Sequence, residues 1–225
     1  MIRFSKNEMK KASNQLRKGI KENKGYLSSI IMTDMSAGKK HEVSKSEYMG
    51  LFEAQNVFIR KHGRYPNYVT LNSTANNPLV MDYQDNAYTC GPTSLSMGIQ
   101  MLFGYVSEKE CAKAVNTIIG SGTSPSDMMS GAKKLGYSLK KISRNKSSVK
   151  AQLTMGKPVI AHIDTKPATC LGYKNNYGHY VLIYGANSTD YFVADPTKGL
   201  KRCKFSVLDK AQLGRSINYY GVGIL

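Results

Sequence analysis

The chain has 225 residues with 41% hydrophobic content and 15 tyrosines, which suits a folded globular protein with one substantial core and a small accessory domain. Its 32 basic and 15 acidic residues give a net charge of +17. We therefore expect attraction to a polyanion such as nucleic acid, an anionic membrane surface or a carboxylate-rich cell wall, the alternative being a solvated basic surface without a ligand. No apolar run approaches the length of a membrane-spanning helix, and the first residues lack the apolar core of a secretion signal, so neither is expected.

The first 71 residues contain a weak internal repeat with a spacing of 39 positions. Ser5-Lys-Asn-Glu8 and Ser44-Lys-Ser-Glu47 both have the form of a capping box, in which serine caps a helix and glutamate bonds back to it. Three further pairs share the spacing: Ile20 with Ile59, Tyr26 with Tyr65, and Ile30 with Val69. Each copy is predicted to form a helix followed by an extended segment. Residues 1–71 are thus expected to be a small, mainly helical domain.

The second copy is the richer one in aromatic and basic residues, and it contains the string Gly63-Arg-Tyr-Pro-Asn-Tyr-Val69. Here charge attraction and ring stacking on sugar faces can act together. The side chains predicted to bind in this way are Arg60, Lys61, Arg64, Tyr65 and Tyr68. The alternative is that the aromatic residues form the core of a small helical domain. Residues 72–80 are polar and turn-rich, which predicts a linker to a second domain over 81–225.

Cys90 is followed by a Gly-Pro pair and then by apolar residues at near-helical spacing. This pattern predicts a helix over 93–104 with Cys90 at its N-terminal end, where free amides and the helix dipole lower the thiol pKa. Gln84 lies six positions earlier, and its side-chain amide can share an oxyanion hole with the backbone N–H of Cys90. Taken alone, a cysteine before Gly-Pro is more often a small buried hydrophobic residue.

The rest of the chain reads as helices followed by strands. Helices are predicted over 107–119 and 126–135, with a connecting loop at 120–125, and strands over 137–142, 158–163, 180–185, 191–194 and 217–223. Helices first and an antiparallel sheet after them is an α+β arrangement.

His179 begins one of these strands, and Asp195 ends the next one. A short polar turn joins the two strands, so they form a hairpin that brings both residues to the same end. Together with Cys90 they supply a nucleophile, a general base and a residue that orients the base. A single histidine at the start of a strand is more often structural, and Asp-Pro is a common turn, so the prediction depends on the whole set.

The remaining cysteines are Cys111, Cys170 and Cys203, which lack paired zinc-ligand spacing. We expect them to be free thiols, in a chain folded in a reducing cytoplasm. No metal site is predicted, although a structural Ca²⁺ bound through loop carboxylates and carbonyls is compatible with the sequence.

The order Gln84, Cys90-Gly, Gly-His179-Tyr-Val and Asp195-Pro resembles the papain-like cysteine peptidases, in the branch that includes bacteriocin-processing peptidases. It is most similar to the pseudomurein endoisopeptidases, lytic enzymes of viruses and proviruses of methanogenic archaea. The resemblance covers roughly residues 75–225, and it implies a triad of Cys90, His179 and Asp195 with Gln84 in the oxyanion hole. Thr89 departs from the acidic residue that many bacteriocin-processing relatives have before the cysteine.

The resemblance implies a papain-like fold and cleavage of the cross-link between alanine and the ε-amine of lysine in pseudomurein stem peptides. The Gly63-to-Val69 string likewise resembles the pseudomurein-binding repeat. We expect a monomer that needs no cofactor for the chemistry. Its expected partner is the cell wall and not nucleic acid. We expect the protein to be made in a host cytoplasm and to act on the wall after the membrane is breached. The alternatives are a leader-peptide-processing peptidase and a non-catalytic basic protein that binds walls or nucleic acid.

Overall fold

The computed structural model describes residues 2–22, 25–70, 79, 81–213 and 218–225. The predicted linker over 72–80 lies outside these residues except for Leu79. Residues 2–70, here called the N-terminal module, contain β1 (Arg3–Ser5), α1 (Lys6–Lys21), β2 (Ser29–Thr33), β3 (Lys40–Ser44), α2 (Lys45–His62) and β4 (Tyr68–Thr70).

The N-terminal module repeats one β–α–β unit at the spacing found in the sequence. Ser5 caps α1 by accepting from the N–H of Glu8, and Ser44 and Glu47 form a capping box at the start of α2. The prediction of a helix followed by an extended segment in each copy is therefore confirmed. The short strands that precede each helix were not predicted, because three to five residues of mixed polarity carry little periodicity.

The two β–α–β units exchange strands with each other. β1 pairs antiparallel with β4, and β2 pairs antiparallel with β3, so every pair joins the first unit to the second. Phe4 lies opposite Val69 in one pair, and their counterparts Val43 and Ile30 lie opposite each other in the other pair. The identical register gives the module an internal pseudo-twofold symmetry. Since neither unit can pair its own strands, the two units must fold together.

The C-terminal part of the chain contains a six-stranded sheet with helices on both faces. Its elements are α3 (Cys90–Met101), α4 (Glu108–Ala114), α5 (Pro125–Lys134), β5 (Tyr137–Ile142), α6 (Lys146–Thr154), β6 (Val159–Asp164), a 3₁₀ turn (Thr169–Leu171), β7 (Gly178–Ala186), β8 (Asp190–Asp195), β9 (Gly199–Lys204), α7 (Phe205–Leu208) and β10 (Asn218–Ile224). The strand order is β5-β10-β6-β7-β8-β9, and neighbouring strands are antiparallel.

This arrangement confirms the predicted α+β fold, with helices first and an antiparallel sheet after them. The predicted helix over 93–104 begins three residues earlier, because Cys90 itself opens α3. The sequence did not reveal α6 or β9. Val149 is the one residue of α6 that is buried, and β9 is a charged strand at the sheet edge, so neither shows a clear apolar pattern.

Two hydrophobic clusters lie on opposite faces of the sheet. The first packs α3 against the sheet and continues without a break into the N-terminal module, where Phe103 meets the rings of Tyr26, Tyr48 and Phe52. The second lies behind the sheet under α6 and α7. The helix that carries Cys90 therefore packs on the sheet, and its C-terminal end contacts the N-terminal module.

The cysteine prediction is wrong at two positions. Cys170 and Cys203 form a disulfide with their Cα atoms 5.3 Å apart, which ties the 3₁₀ turn to β9. Cys111 is a buried free thiol, as expected. A disulfide is typical of oxidising surroundings, so the expectation of a chain kept fully reduced does not hold for this pair. Within the described ranges, no helix is long and apolar enough to cross a membrane.

Candidate active site

Cys90 is the first residue of α3 and lies half-buried, with Thr89 as the N-cap of the helix. Gly91 follows in a tightly packed position: a Cβ there would lie 3.0 Å from Sδ of Met128 and 3.3 Å from the ring of Tyr180. A larger residue would require these side chains of α5 and β7 to shift by a few tenths of an ångström. The Cys-Gly pair therefore lets the thiol approach the sheet closely.

His179 and Asp195 meet at one end of the hairpin formed by β7 and β8. Nε2 of His179 lies 3.0 Å from Oδ1 of Asp195, and both side chains are buried. The same carboxylate oxygen accepts from the N–H groups of Thr197, at 2.8 Å, and Lys198, at 3.1 Å. The structure thus brings together the imidazole and carboxylate expected from the sequence, and the turn after β8 holds the carboxylate in place.

The Cys90 thiol and the His179 ring shift each other's ionisation. Burial opposes ionisation of Cys90, but the hydrogen bond and charge of His179, aided by the backbone N–H groups of Tyr180 and Gly91, lower the pKa of the thiol overall. Burial would likewise lower the pKa of His179, yet its bonds to Asp195 and Cys90 raise that pKa to about 9. The pair is therefore poised as thiolate and imidazolium, the charged state required of a nucleophile with its acid partner.

Tyr173 is a site residue that the sequence analysis missed. Its hydroxyl donates to the Asp195 carboxylate, 2.9 Å from Oδ1 and 3.0 Å from Oδ2, and lies 3.2 Å from Nε2 of His179. It follows the 3₁₀ turn that the Cys170–Cys203 disulfide ties to β9. No periodicity or motif marks such a residue, because its position depends on how this loop closes.

Gln84 is bonded to the turn that follows Asp195. Its Nε2 donates to the carbonyl of Asn86 at 2.7 Å, and its Oε1 accepts from the hydroxyl of Thr197 at 3.0 Å. Thr197 in turn donates its N–H to Asp195, so Gln84 is linked to the carboxylate through one residue. In this arrangement its amide is engaged by Asn86, and its role as an oxyanion donor stays a prediction.

A cleft of about 490 Å³ opens beside Cys90. Its walls come from the loop before α3, the loop between α4 and α5, and the start of β7, with the lining residues Ala87, Tyr88, Cys90, Ile118, Gly120, Ser121, Gly122, Thr123, Ser124, Asp127, His162, Tyr177, Gly178 and Tyr180. Gly120 and Gly122 have φ angles of 77° and 83°, the left-handed region that favours glycine. The loop predicted to connect two helices also forms a wall of the cleft, which has the size of a ligand-binding site.

The five side chains predicted to bind a wall belong to the N-terminal module, and none of them lines the Cys90 cleft. Arg60 donates to the carbonyl of Met81 and pairs with Asp82, so its charge is used within the molecule. Arg64 lies over the ring of Phe58, and Lys61 is exposed. Tyr65 and Tyr68 are 44% and 43% exposed, with the cations of Lys6 and Arg3 over their rings. Their binding role stays a prediction.

The residues that the structure describes contain no group of three or more His, Cys, Asp or Glu side chains placed to hold a metal ion. The Ca²⁺ that the sequence permits stays a prediction.

A thiol at a helix start, bonded to an imidazole that a buried carboxylate orients, defines a cysteine peptidase of papain-like α+β fold. The profile of the Peptidase C39 family matches residues 79–211, more than half of the chain, and the protein belongs to this family.

Several solved structures are similar to this chain at low sequence identity. The peptidase domain of Streptococcus ComA, a bi-functional ABC transporter involved in a quorum-sensing pathway, is 20% identical with a TM-score of 0.51, over 64% of this chain and 98% of that one. A C39-like peptidase from Bacillus anthracis is 15% identical with a TM-score of 0.46, over 64% and 94%. A double-glycine-motif protease from an AMS/PCAT transporter, in complex with the leader peptide, is 15% identical with a TM-score of 0.43, over 64% and 91%. A search of curated proteins gave no match.

Proposed function

We propose that the protein is an endoisopeptidase that hydrolyses the bond between alanine and the ε-amine of lysine in pseudomurein stem peptides, and so lyses methanogen walls. The observation that carries this proposal is the repeat module, which packs at the C-terminal end of the helix that begins with the nucleophile and shares its core. A processing peptidase for soluble peptides has no need of such a module. The resemblance of the Gly63-to-Val69 string to a pseudomurein-binding repeat supplies the substrate.

The chemistry follows from the charged pair. The Cys90 thiolate attacks the scissile carbonyl carbon, and the oxyanion is held by the backbone N–H of Cys90 and the side-chain amide of Gln84, which must leave Asn86 to reach it. The His179 imidazolium gives its proton to the departing lysine amine as the C–N bond breaks, leaving a thioester on Cys90. Neutral His179 then takes a proton from water, which attacks the thioester and releases the carboxyl product. Asp195 keeps the imidazole oriented in both steps.

Charge and exposure support a role at the wall. The net charge of +17 favours a substrate rich in carboxylates, and Tyr65 and Tyr68 present exposed rings beside cations. In this proposal residues 1–71 retain the enzyme on the wall, while residues 81–225 hydrolyse the cross-links of the wall. The site of action is then the outer wall, reached after the membrane is breached, with no cofactor and no nucleic acid involved.

The second candidate is a peptidase that removes leader peptides. It is favoured by the fold of the Streptococcus ComA peptidase domain, nearly all of which is matched by this chain. Such an enzyme would cut a soluble leader peptide after a defined motif and would be indifferent to the N-terminal module.

The experiment that tests the function is incubation of the full-length protein with purified pseudomurein and, separately, with bacterial peptidoglycan and soluble leader peptides. The released fragments are identified by mass. New alanine carboxyl ends paired with free lysine ε-amines from pseudomurein are expected, and the Cys90→Ala protein should release none. Cleavage of leader peptides with intact pseudomurein would establish the second candidate instead, and release of fragments by Cys90→Ala would exclude a cysteine mechanism.

A further inference from the structure

A second cleft, of about 320 Å³, lies where the N-terminal module meets the end of α3. We call it the Lys6–Tyr65 cleft; it is lined by Lys6, Met9, Lys10, Ser13, Asn14, Arg17, Gln55, Tyr65, Phe103, Gly104, Tyr105 and Tyr137. It shares no lining residue with the Cys90 cleft. The catalytic steps described above leave this cleft without a role.

The lining of the Lys6–Tyr65 cleft combines cations with aromatic rings and neutral hydrogen-bonding groups. The cations come from Lys6, Lys10 and Arg17, and none of the described residues that line the cleft is acidic. The guanidinium of Arg17 lies 5.6 Å from the centre of the Tyr137 ring. Rings stack on the apolar faces of sugars, amides and hydroxyls bond to sugar hydroxyls, and unpaired cations attract a carboxylate. The chemistry matches a sugar that carries an anionic substituent.

The pseudo-twofold symmetry of the module allows Lys6 and Tyr65 to be compared with their counterparts in the other unit. Lys6 lies over the Tyr65 ring at 5.3 Å, and their counterparts at the 39-residue spacing, Lys45 and Tyr26, form the same contact at 4.7 Å. The backbone repeats as well, because Lys6 donates its N–H to Asn67 at 3.1 Å, as Lys45 does to Ser28 at 2.8 Å. The same contact between a lysine and a tyrosine therefore occurs twice in the module. In each case one unit supplies the lysine and the other unit supplies the tyrosine.

The two copies differ in what covers the tyrosine. Tyr26 donates its hydroxyl to the carbonyl of Met101 and packs edge-on against Phe103 at 5.7 Å, so it serves as a docking residue for the C-terminal part. Tyr65, its counterpart, is 44% exposed at the rim of the cleft. The tyrosine of the duplicated contact is thus engaged by the C-terminal part in one copy and exposed in the other, where its ring is accessible to a ligand.

We propose that the Lys6–Tyr65 cleft binds one sugar unit of the wall glycan together with a carboxylate on that unit or on its attached peptide. The sugar stacks on Tyr65, and the carboxylate is held by Lys6 and Arg17. This inference rests on the proposed function, because it names the part of the wall that the module recognises. It also extends the wall-binding prediction to α1, which the sequence had not singled out.

The position of the cleft places the bound wall glycan near the site where stem peptides are hydrolysed. Phe103 and Gly104 line it, and they follow Leu102, the C-cap of α3, whose 12 residues begin with Cys90. An α-helix of that length spans about 18 Å, at 1.5 Å per residue. A glycan bound in the cleft would therefore be held within a short distance of the nucleophile, so that neighbouring stem peptides can reach the Cys90 cleft.

The test measures retention of full-length protein on insoluble pseudomurein, in the Cys90→Ala background so that the wall stays intact. Tyr65→Ala should raise the dissociation constant by about 3- to 10-fold through loss of the ring, and Tyr65→Phe should keep most of the binding. Arg17→Gln and Lys6→Gln should each weaken binding by a similar factor. Lys45→Gln is the matched control for Lys6→Gln, since it removes the same charge from the symmetry-related position and should bind as the parent does. Thermal unfolding checks that all five variants fold.

Competition separates a sugar site from a general anion site. Soluble wall fragments should displace the protein at lower charge concentration than polyphosphate does, and displacement by both at equal charge would overturn the proposal. Equal retention of Tyr65→Ala, Arg17→Gln and the parent, or no retention of the parent by any wall, would overturn it too. Retention on bacterial peptidoglycan alone, with the same ranking of variants, would support the cleft while excluding pseudomurein as the substrate.

Discussion

Phe103, just beyond the helix that begins with Cys90, packs edge-on against Phe52 of α2, with ring centroids 4.9 Å apart and ring planes at 61°. Tyr26 and Tyr48 meet the same ring from the N-terminal module. Phe103 has a φ of 59° because it follows the C-cap of α3 in a Schellman motif, where its N–H donates to the Gln100 carbonyl and that of Gly104 to the Ile99 carbonyl. The module and the nucleophile's helix are therefore parts of one core.

The first prediction concerns this shared core. Phe103→Ala should lower the free energy of unfolding by about 3–5 kcal/mol, the usual cost of removing a buried phenylalanine, and should loosen the module from α3. Urea unfolding followed by circular dichroism measures the loss. Leu200→Ala, at a side chain that is 54% exposed, is the control and should change stability little. A loss below about 1 kcal/mol for Phe103→Ala would mean that the module and the C-terminal part are independent.

The second prediction concerns pH. Activity requires ionised Cys90 and protonated His179, so kcat/KM on a soluble isopeptide should rise at a pH below the usual thiol range and fall again near pH 9. Asp195 is the strongest of the groups that raise the pKa of His179, so Asp195→Asn should move the alkaline limb to lower pH and lower kcat. Asp190→Asn changes the same charge at the other end of β8 and should leave the profile unchanged. An alkaline limb at the same pH in Asp195→Asn would contradict the assigned ion pair.

The sequence was sufficient for the parts of the site that depend on local pattern. The Gly-Pro pair after Cys90 and the apolar run behind it predict a helix start, and the apolar strands around His179 and Asp195 predict a hairpin. Five of the six strands of the sheet follow from the same kind of signal, and β9 is the exception. Each of these features depends on a short stretch of some ten to twenty consecutive residues, which explains why it could be predicted.

The features that depend on distant contacts could not be predicted. The 39-residue repeat indicates two similar units, but their strand exchange is decided by which edges meet in three dimensions. The same holds for Tyr173, whose hydroxyl reaches Asp195 only after the loop has closed. The disulfide joins residues 33 positions apart with no motif at either end. Such pairings are set by tertiary packing and leave no periodic trace in the sequence.

The third prediction concerns Tyr173, which acts on His179 through Asp195. Its hydroxyl is one of the groups that hold the pKa of Asp195 below its ordinary value, against the effect of burial. A carboxylate with a lowered pKa stabilises the fold above its unfolded pKa and loses that contribution as the pH falls. Tyr173→Phe should therefore move acid unfolding to higher pH and lower kcat several-fold with little change in KM. Tyr83→Phe, at a ring that is 60% exposed, should do neither, and unchanged acid unfolding in Tyr173→Phe would remove its assigned role.

The fourth prediction concerns Gln84. If its amide turns from Asn86 to the oxyanion in the transition state, Gln84→Ala should lower kcat by about 10²- to 10³-fold and leave KM nearly unchanged. Thr197→Val is the matched control for the anchoring bond, because it removes the hydroxyl that holds Oε1 of Gln84 but keeps the amide. Its loss in kcat should be much smaller. Equal losses in the two variants would mean that Gln84 only supports the turn after Asp195.

The last prediction concerns the Cys170–Cys203 disulfide, which closes a loop containing both Tyr173 and His179. A cross-link of residues 33 positions apart restricts the unfolded chain, so its removal should lower the free energy of unfolding by about 2–4 kcal/mol. Reductant should therefore destabilise the wild type but leave the Cys170→Ala/Cys203→Ala double variant unchanged, since that variant has no bond to lose. Alkylation of denatured, unreduced protein gives an independent count: only Cys90 and Cys111 should be labelled before reduction, and all four cysteines after it. If all four are labelled without reduction, the bond is absent and the loop is held by packing alone.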